Sequence, residues 1–275
     1  MTNKESIANG LRFLFCNFPS ISGDVQPDLV IHALWHPRNC EGGWIAAPGI
    51  SLTVRYEGQI VPYVRNVVEH FILSRCQEWI ALHGAAVSYE GRAMVILGAG
   101  GSGKSTLCAE MVRRGWWFLS DDFVPLRVDT REVWPFPVPI ELRQDSKGAM
   151  PAWAAHANMH NPILGSWNEE RKWPVDPSSV PWGGIGQPAT LGCLAMLESG
   201  FQDVPSVRLM TSDVSRFLPI AHIFGGTATR YANAHKISRI LGGGVAAASV
   251  CVGRPVATAT ALGEFCQKYG GAWGK

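Results

Sequence analysis

The sequence predicts an α/β fold with a smaller α+β extension at its N-terminal side. Three observations carry this. From about residue 80, apolar runs of strand length alternate with stretches of helical period. Residues 98–105 read Gly-Ala-Gly-Gly-Ser-Gly-Lys-Ser, between a β-branched apolar run and an amphipathic stretch. An acidic pair, Asp121-Asp122, ends the next apolar run. The division expected is an extension over 1–79 packed on a main domain over 80–275.

The elements follow in order. Residues 1–50 carry little pattern. Residues 51–63 suggest two short strands about Glu57-Gly58. Residues 64–80 predict a helix, with Val67, Val68, Phe71, Ile72, Cys76 and Trp79 at three-to-four spacing. Ala81–Tyr89 and Ala93–Leu97 form a hairpin about Glu90-Gly91-Arg92. A helix near 103–114 stops at Gly115, and strands follow at Trp116–Leu119 and Phe123–Val128. Between Trp134 and Pro188 fall nine of the 18 prolines and five of the 11 tryptophans, which excludes long regular elements and predicts a loop-rich insertion. A strand at 190–197, helices near 212–222 and 228–241, a strand at 247–252 and a helix at 257–268 complete the chain.

Composition limits the function classes. Lys and Arg number 24 against 22 Asp and Glu, so no basic excess offers a footprint for nucleic acid. At 47% hydrophobic and 17% charged, the 275 residues bury a core. No apolar run approaches the roughly 18 residues of a membrane span, and the start, with Glu5, has no signal-peptide pattern. The expectation is a cytoplasmic protein with no nucleic-acid or membrane partner. The cysteine count is seven, with no C-x-x-C pair, which predicts reduced cysteines in apolar sites rather than a disulfide framework.

The glycine-rich segment fits G-x-x-x-x-G-K-[ST]. Glycines let a loop curl so that its N–H groups point inward at phosphate oxygens, and the following helix aims its positive end at them. Lys104 is placed to reach the outer phosphates, and the Ser105 hydroxyl to ligate Mg²⁺. Asp121-Asp122 lie one helix and one strand further on, at the strand end where open α/β sheets bind ligands. Carboxylates there suit metal binding or proton acceptance from a hydroxyl; a turn or helix cap is the bland alternative. Glu141 and Arg143, two apart in an extended segment, share one face. They suit a metal ligand and a phosphoryl clamp, or else a surface ion pair.

Four pieces line up: Leu82-His83-Gly84, the loop at 98–105, Leu119-Ser120-Asp121-Asp122 and Ile140-Glu141-Leu142-Arg143. Their order and spacing resemble the catalytic domain of the HPr serine kinase/phosphorylase family. The chain is more similar still to the HPr-kinase-related kinases, which include kinases of serine on lasso peptides. The resemblance covers about 80–145. It implies a P-loop kinase domain of the HPr kinase C-terminal type that uses ATP and Mg²⁺. It implies that Gly98, Ala99, Gly100, Gly101, Ser102, Gly103, Lys104, Ser105 and Thr106 hold the nucleotide, and that Ser105, Asp122 and Glu141 hold the metal. Asp121 is then the base toward a substrate hydroxyl, Lys104 and Arg143 steady the phosphoryl group, and His83 stands beside the site. Read alone, His83 is a histidine at a strand start. The family's glycine-rich segment after E-x-R is Gln144-Asp145-Ser146 here, so the resemblance does not extend to HPr as substrate or to phosphorolysis. It leaves a serine of a peptide or small protein as the expected acceptor; loop aromatics in the Pro/Trp-rich 134–188 stretch suit contacts to it, and core packing explains most of those tryptophans equally well. HPr kinases are hexamers, so the resemblance extends to a homo-oligomer.

Two rival readings are a small-molecule kinase and a nucleotide-gated binding module or regulatory ATPase. The pairs His156/His160 and His32/His36, the latter with Cys40 four further on, have the four-residue spacing of helical zinc ligands; the first lacks a third ligand at metal spacing, and Pro37 breaks the helical spacing of the second.

Overall fold

The computed structural model describes residues 1–36, 42–75, 78–143, 172–210, 218–225, 227–241 and 244–269. Helix α1 (Glu5–Leu14), strands β1 (His32–His36), β2 (Gly42–Ala47) and β3 (Ile50–Val54), and helix α2 (Ile60–Arg75) form the N-terminal unit. The three strands make an antiparallel meander in the order β1-β2-β3. The single strand at 50–54 and a 3-10 turn at Glu57–Gln59 replace the strand pair expected over 51–63, and α2 begins at Ile60 rather than 64. Pro62 lies in the first turn of α2, where its missing N–H has no intrahelical partner to lose.

Helix α2 carries two apolar faces. Ile60, Val64 and Val67 pack on the meander with Ile7, Ala33, Ile45 and Val54. Val61, Val68 and Ile72 pack on the main domain through Ala81, Phe123, Phe136 and Val138. Phe18 and Phe123 both meet Phe136 edge-on, at centroid distances of 5.2 and 5.0 Å.

The main domain is a nine-stranded mixed sheet with helices on both faces. Its strands are β4 (Trp79–Leu82), β5 (Ala85–Tyr89), β6 (Arg92–Gly98), β7 (Trp117–Asp121), β8 (Val124–Arg127), β9 (Glu132–Val133), β12 (Ala189–Phe201), β13 (Ser206–Leu209) and β14 (Ala246–Val252). A separate two-stranded ribbon pairs β10 (Ile140–Arg143) with β11 (Lys172–Val175). At the centre β12 lies parallel to both β6 and β14. Such a strand is covered on both sides, so it reads as a continuous apolar run. In β6, Met94 and Ile96 face helices α3 (Lys104–Arg113) and α5 (Pro255–Tyr269), while Ala93, Val95 and Leu97 face helix α4 (Thr227–Leu241).

The apolar run 81–89 is two strands, not one, parted at His83-Gly84. β4 pairs with β8, and β5 pairs with β6 and β7. A Cβ on Gly84 would lie 2.6 Å from the Ile96 carbonyl oxygen, so the close approach at this break admits only glycine. The helix expected at 212–222 is a 3-10 turn over Leu218–His222 in its described part, and 212–217 lie outside the described residues. His32 and His36 sit on β1, where four residues span about 13 Å of extended chain, so they do not meet as a helical pair would. Cys40, Cys76, His156, His160 and the 144–171 part of the insertion expected over 134–188 lie outside the described residues. Of the described cysteines, Cys108, Cys193, Cys251 and Cys266 are buried thiols and Cys16 is exposed. Among the described residues no helix is long and apolar enough to cross a membrane.

Candidate active site

The loop after β6 turns sharply, with the Ser102 N–H donating to the Ala99 carbonyl at 3.2 Å. Gly98 takes φ 155°, and a Cβ there would lie 2.7 Å from Ser102 Oγ and 3.0 Å from Leu197 Cβ. Gly103 caps α3 at φ 96°, a left-handed conformation that glycine adopts without cost, and no side chain caps the helix start. The first N–H groups of α3 are therefore left for an external acceptor. Lys104 is buried and donates to the loop's own carbonyls, Gly98 O at 3.0 Å and Ala99 O at 3.1 Å. Burial lowers its pKa first and Arg143 adds to that, against the pull of Asp122 and Asp121.

Strand β7 delivers the acidic pair. Asp121 is 1% exposed. Its Oδ1 accepts from Ser105 Oγ at 3.1 Å and its Oδ2 from the Glu141 N–H at 3.2 Å. Burial, then the charge of Asp122, push its pKa up to about 7, against these two hydrogen bonds. Asp122 takes φ 68°. The left-handed region costs a non-glycine residue about 1–2 kcal/mol, with Asp among those that visit it most readily. The turn reverses the side chain, so neighbouring aspartates point to different places: Asp121 into the protein behind Ser105, Asp122 into the cleft.

The ribbon brings the third group. Glu141 and Arg143 are on β10, and Arg143 Nη1 lies 3.3 Å from where a Cβ on Gly101 would stand, so its guanidinium lies over the loop. His83, at the β4–β5 break, donates its N–H to the His222 carbonyl at 2.6 Å. Burial lowers the pKa of its imidazole, with the charge of Asp122 opposing. Burial, then nearby Lys104, lower that of His222.

One cavity of about 650 Å³ joins these groups. Of the expected residues, His83, Gly100, Gly101, Ser102, Gly103, Lys104, Ser105, Thr106, Asp122, Glu141 and Arg143 line it. Gly98 and Ala99 stand at its base with their carbonyls on Lys104. Asp121 is not in the wall. The far wall holds residues sequence reasoning missed: Phe201 at the end of β12, and Val252, Gly253, Pro255 and Thr258 between β14 and α5. Gly-Arg-Pro between a strand and a helix was the available signal for the second group, and Phe201 had none.

The residues fit a polyphosphate. Ser102 Oγ is, among the described residues, the buried side-chain polar atom with no hydrogen-bond partner, and it belongs to a residue in the cavity wall. An orphaned hydroxyl is costly unless something completes it. Among the described residues no three His, Cys, Asp or Glu side chains converge on one metal position. Mg²⁺ needs no such cage, because it keeps several waters and binds through one or two carboxylates plus phosphate. Ser105, Asp122 and Glu141 fit that donor set.

No protein-family model matches the chain. No curated protein matches it. Among solved structures it is similar to the Hpr(Ser) kinase/phosphatase from Coxiella burnetii, at 11% identity and a TM-score of 0.35, over 68% of this chain and 97% of that one. The likeness is distant, and nothing about activity follows from it.

Proposed function

We propose that this protein is an ATP- and Mg²⁺-dependent kinase that transfers the γ-phosphoryl group to a hydroxyl, with serine of a peptide or small protein as acceptor. One observation carries the reading: a glycine-rich loop, Asp122, and Glu141 with Arg143 come from three separate segments onto one cavity. Phosphoryl transfer asks little covalent chemistry of a protein, and mostly positioning and charge neutralisation. Lys104 and Arg143 supply positive charge on the two sides of the loop. Mg²⁺, when bound, would neutralise charge that develops on the transferring group; Ser105 and Glu141 would hold it.

The roles of the two aspartates are best exchanged relative to the expectation from the sequence. Asp121 is enclosed, with both oxygens engaged, and its contact is the Ser105 hydroxyl. That favours a role in orienting Ser105. Asp122 faces the cavity and has the reach to accept a proton from the acceptor, since a base must first be within hydrogen-bonding distance.

The test follows the γ-phosphate of labelled ATP with Mg²⁺, with and without a lysate of the source cells. Label on a peptide or protein band, lost in Asp122→Asn, supports the reading. Label moving to a small molecule replaces the acceptor class with a metabolite. Release as free phosphate alone, whatever is added, overturns the assignment as a kinase.

A further inference from the structure

Helix α2 of the N-terminal unit sends one charged side chain into the site. Arg65 is 9% exposed. It sits at the edge of the face that Val61, Val68 and Ile72 form, one turn along from Val61, at a position where the helical pattern calls for a core residue. Its Nε donates to Glu69 Oε1 at 2.7 Å, one turn along and itself 2% exposed. Its Nη2 donates to the main-chain carbonyl of Asp121 at 3.2 Å. Its Nη1 lies 3.6 Å from Glu141 Oε1. One planar group thus ties three segments: α2, the end of β7 and the ribbon strand β10.

The carbonyl it holds is the informative one. The peptide joining Asp121 to Asp122 sets φ at Asp122, and that φ is 68°. Holding this carbonyl holds the left-handed turn, and the turn is what aims Asp122 into the cavity. The same guanidinium pairs with the Glu141 side chain, while the Glu141 main-chain N–H donates to Asp121. Arginine suits the task because its fork donates in several fixed directions at once, whereas lysine is a point charge. Glu69 keeps the buried cation compensated, which a buried charge requires.

From this geometry we infer that Arg65 is a positioning residue for phosphoryl transfer, holding the Asp122 turn and the Glu141 carboxylate in register from the N-terminal unit. The inference rests on the kinase reading. It makes the first 79 residues part of the working site and not an appendage to it.

The test uses the full chain. Arg65→Met alone strands the buried Glu69 and threatens folding, so the informative variant is Arg65→Met with Glu69→Met, which keeps volume and removes both charges. Arg65→Lys is its conservative partner. Two quantities are read: the Kd for ATP in the absence of Mg²⁺, and kcat for γ-phosphate turnover with saturating Mg·ATP. The double variant is expected to keep the Kd within about twofold and lose about 10–100-fold in kcat, the usual size of an effect that acts through a neighbouring ligand. Arg65→Lys is expected to fall between. A double variant with wild-type kcat overturns the inference alone. So does a loss of kcat that merely follows the fraction of protein still able to bind ATP, since that is a structural role. A wild-type chain with no γ-phosphate turnover overturns the kinase reading, and the inference with it.

Discussion

Replacing Asp121 by Asn separates what this carboxyl does for the reaction from what it costs the fold. Asn fills the same space and keeps both contacts: its carbonyl oxygen can accept from the Glu141 N–H, and its NH₂ can donate to Ser105 Oγ, whose hydroxyl turns to accept. The change therefore removes a desolvated charge and little else. A carboxyl at about 7 in the folded protein against 3.8 ordinarily binds its proton more tightly when folded. The stability this confers is complete below about pH 4 and is lost as pH rises to about 7. Between pH 5 and pH 8 the wild type loses about 3 kcal/mol through Asp121, and the Asn variant loses none of it. Titrating groups that Asp121 does not perturb are common to both proteins and cancel in the difference. Urea unfolding of both at pH 5 and pH 8 should show the variant gaining about 3 kcal/mol on the wild type across that interval, or on the order of 5–10 °C in Tm. Two stability–pH curves that run parallel would refute the reasoning, for they would mean Asp121 titrates alike folded and unfolded.

Further outcomes can be stated more briefly. Lys104→Ala removes the ammonium that two loop carbonyls now hold; affinity for Mg·ATP by calorimetry should fall about 100-fold, the size of two charge-assisted hydrogen bonds, with the Tm little changed. Arg143→Ala should lower kcat about 10²–10³-fold, as loss of a transition-state donor does, with a smaller change in KM; a purely raised KM would show that Arg143 holds only the ground state. Gly98→Ala puts a methyl against Ser102 Oγ and Leu197, so ATP binding should be lost and stability should drop by about 1–3 kcal/mol; unaltered binding would show that the loop can open at its first residue.

The segment from Arg92 to Asp121 was legible because its signals are local. A fully apolar strand, glycines at fixed offsets, a helix stopped by Gly115 and a strand ending in two acids need no distant partner to be read. The N-terminal meander was not legible, because its core is shared among one residue here and one there: Ile7, Ala33, Ile45 and Val54 are scattered over nearly fifty positions. The start of α2 was misplaced because residues 51–63 read as two short strands, whereas Pro62 lies in a first helical turn, where its missing N–H is tolerated. The break in the run 81–89 follows from Gly84 meeting Ile96, a contact set by the sheet and absent from any pattern along the chain. Within the site, residue types and positions were legible, but directions were not. The φ of Asp122 decides which aspartate meets the cavity, and the sequence holds no mark of it. Arg65 did leave one, a charge on an apolar helical stripe with its countercharge four residues on.

The order of strands in the sheet has a consequence for when the cavity is completed as the chain is made. The loop at 98–103 is complete early in synthesis, yet its strand β6 takes one of its two neighbours from Ala189–Phe201, and that strand takes one of its own from Ala246–Val252. The cavity wall runs from His83 to Thr258. Pairings this distant in sequence form late, and they slow folding, because each closes a long loop before any contact rewards it. A nascent chain that already carries the glycine loop, both aspartates and Arg143 still lacks the wall at 252–258. The complete cavity should thus arise nearly all at once, after the last parallel strand has left the ribosome and docked.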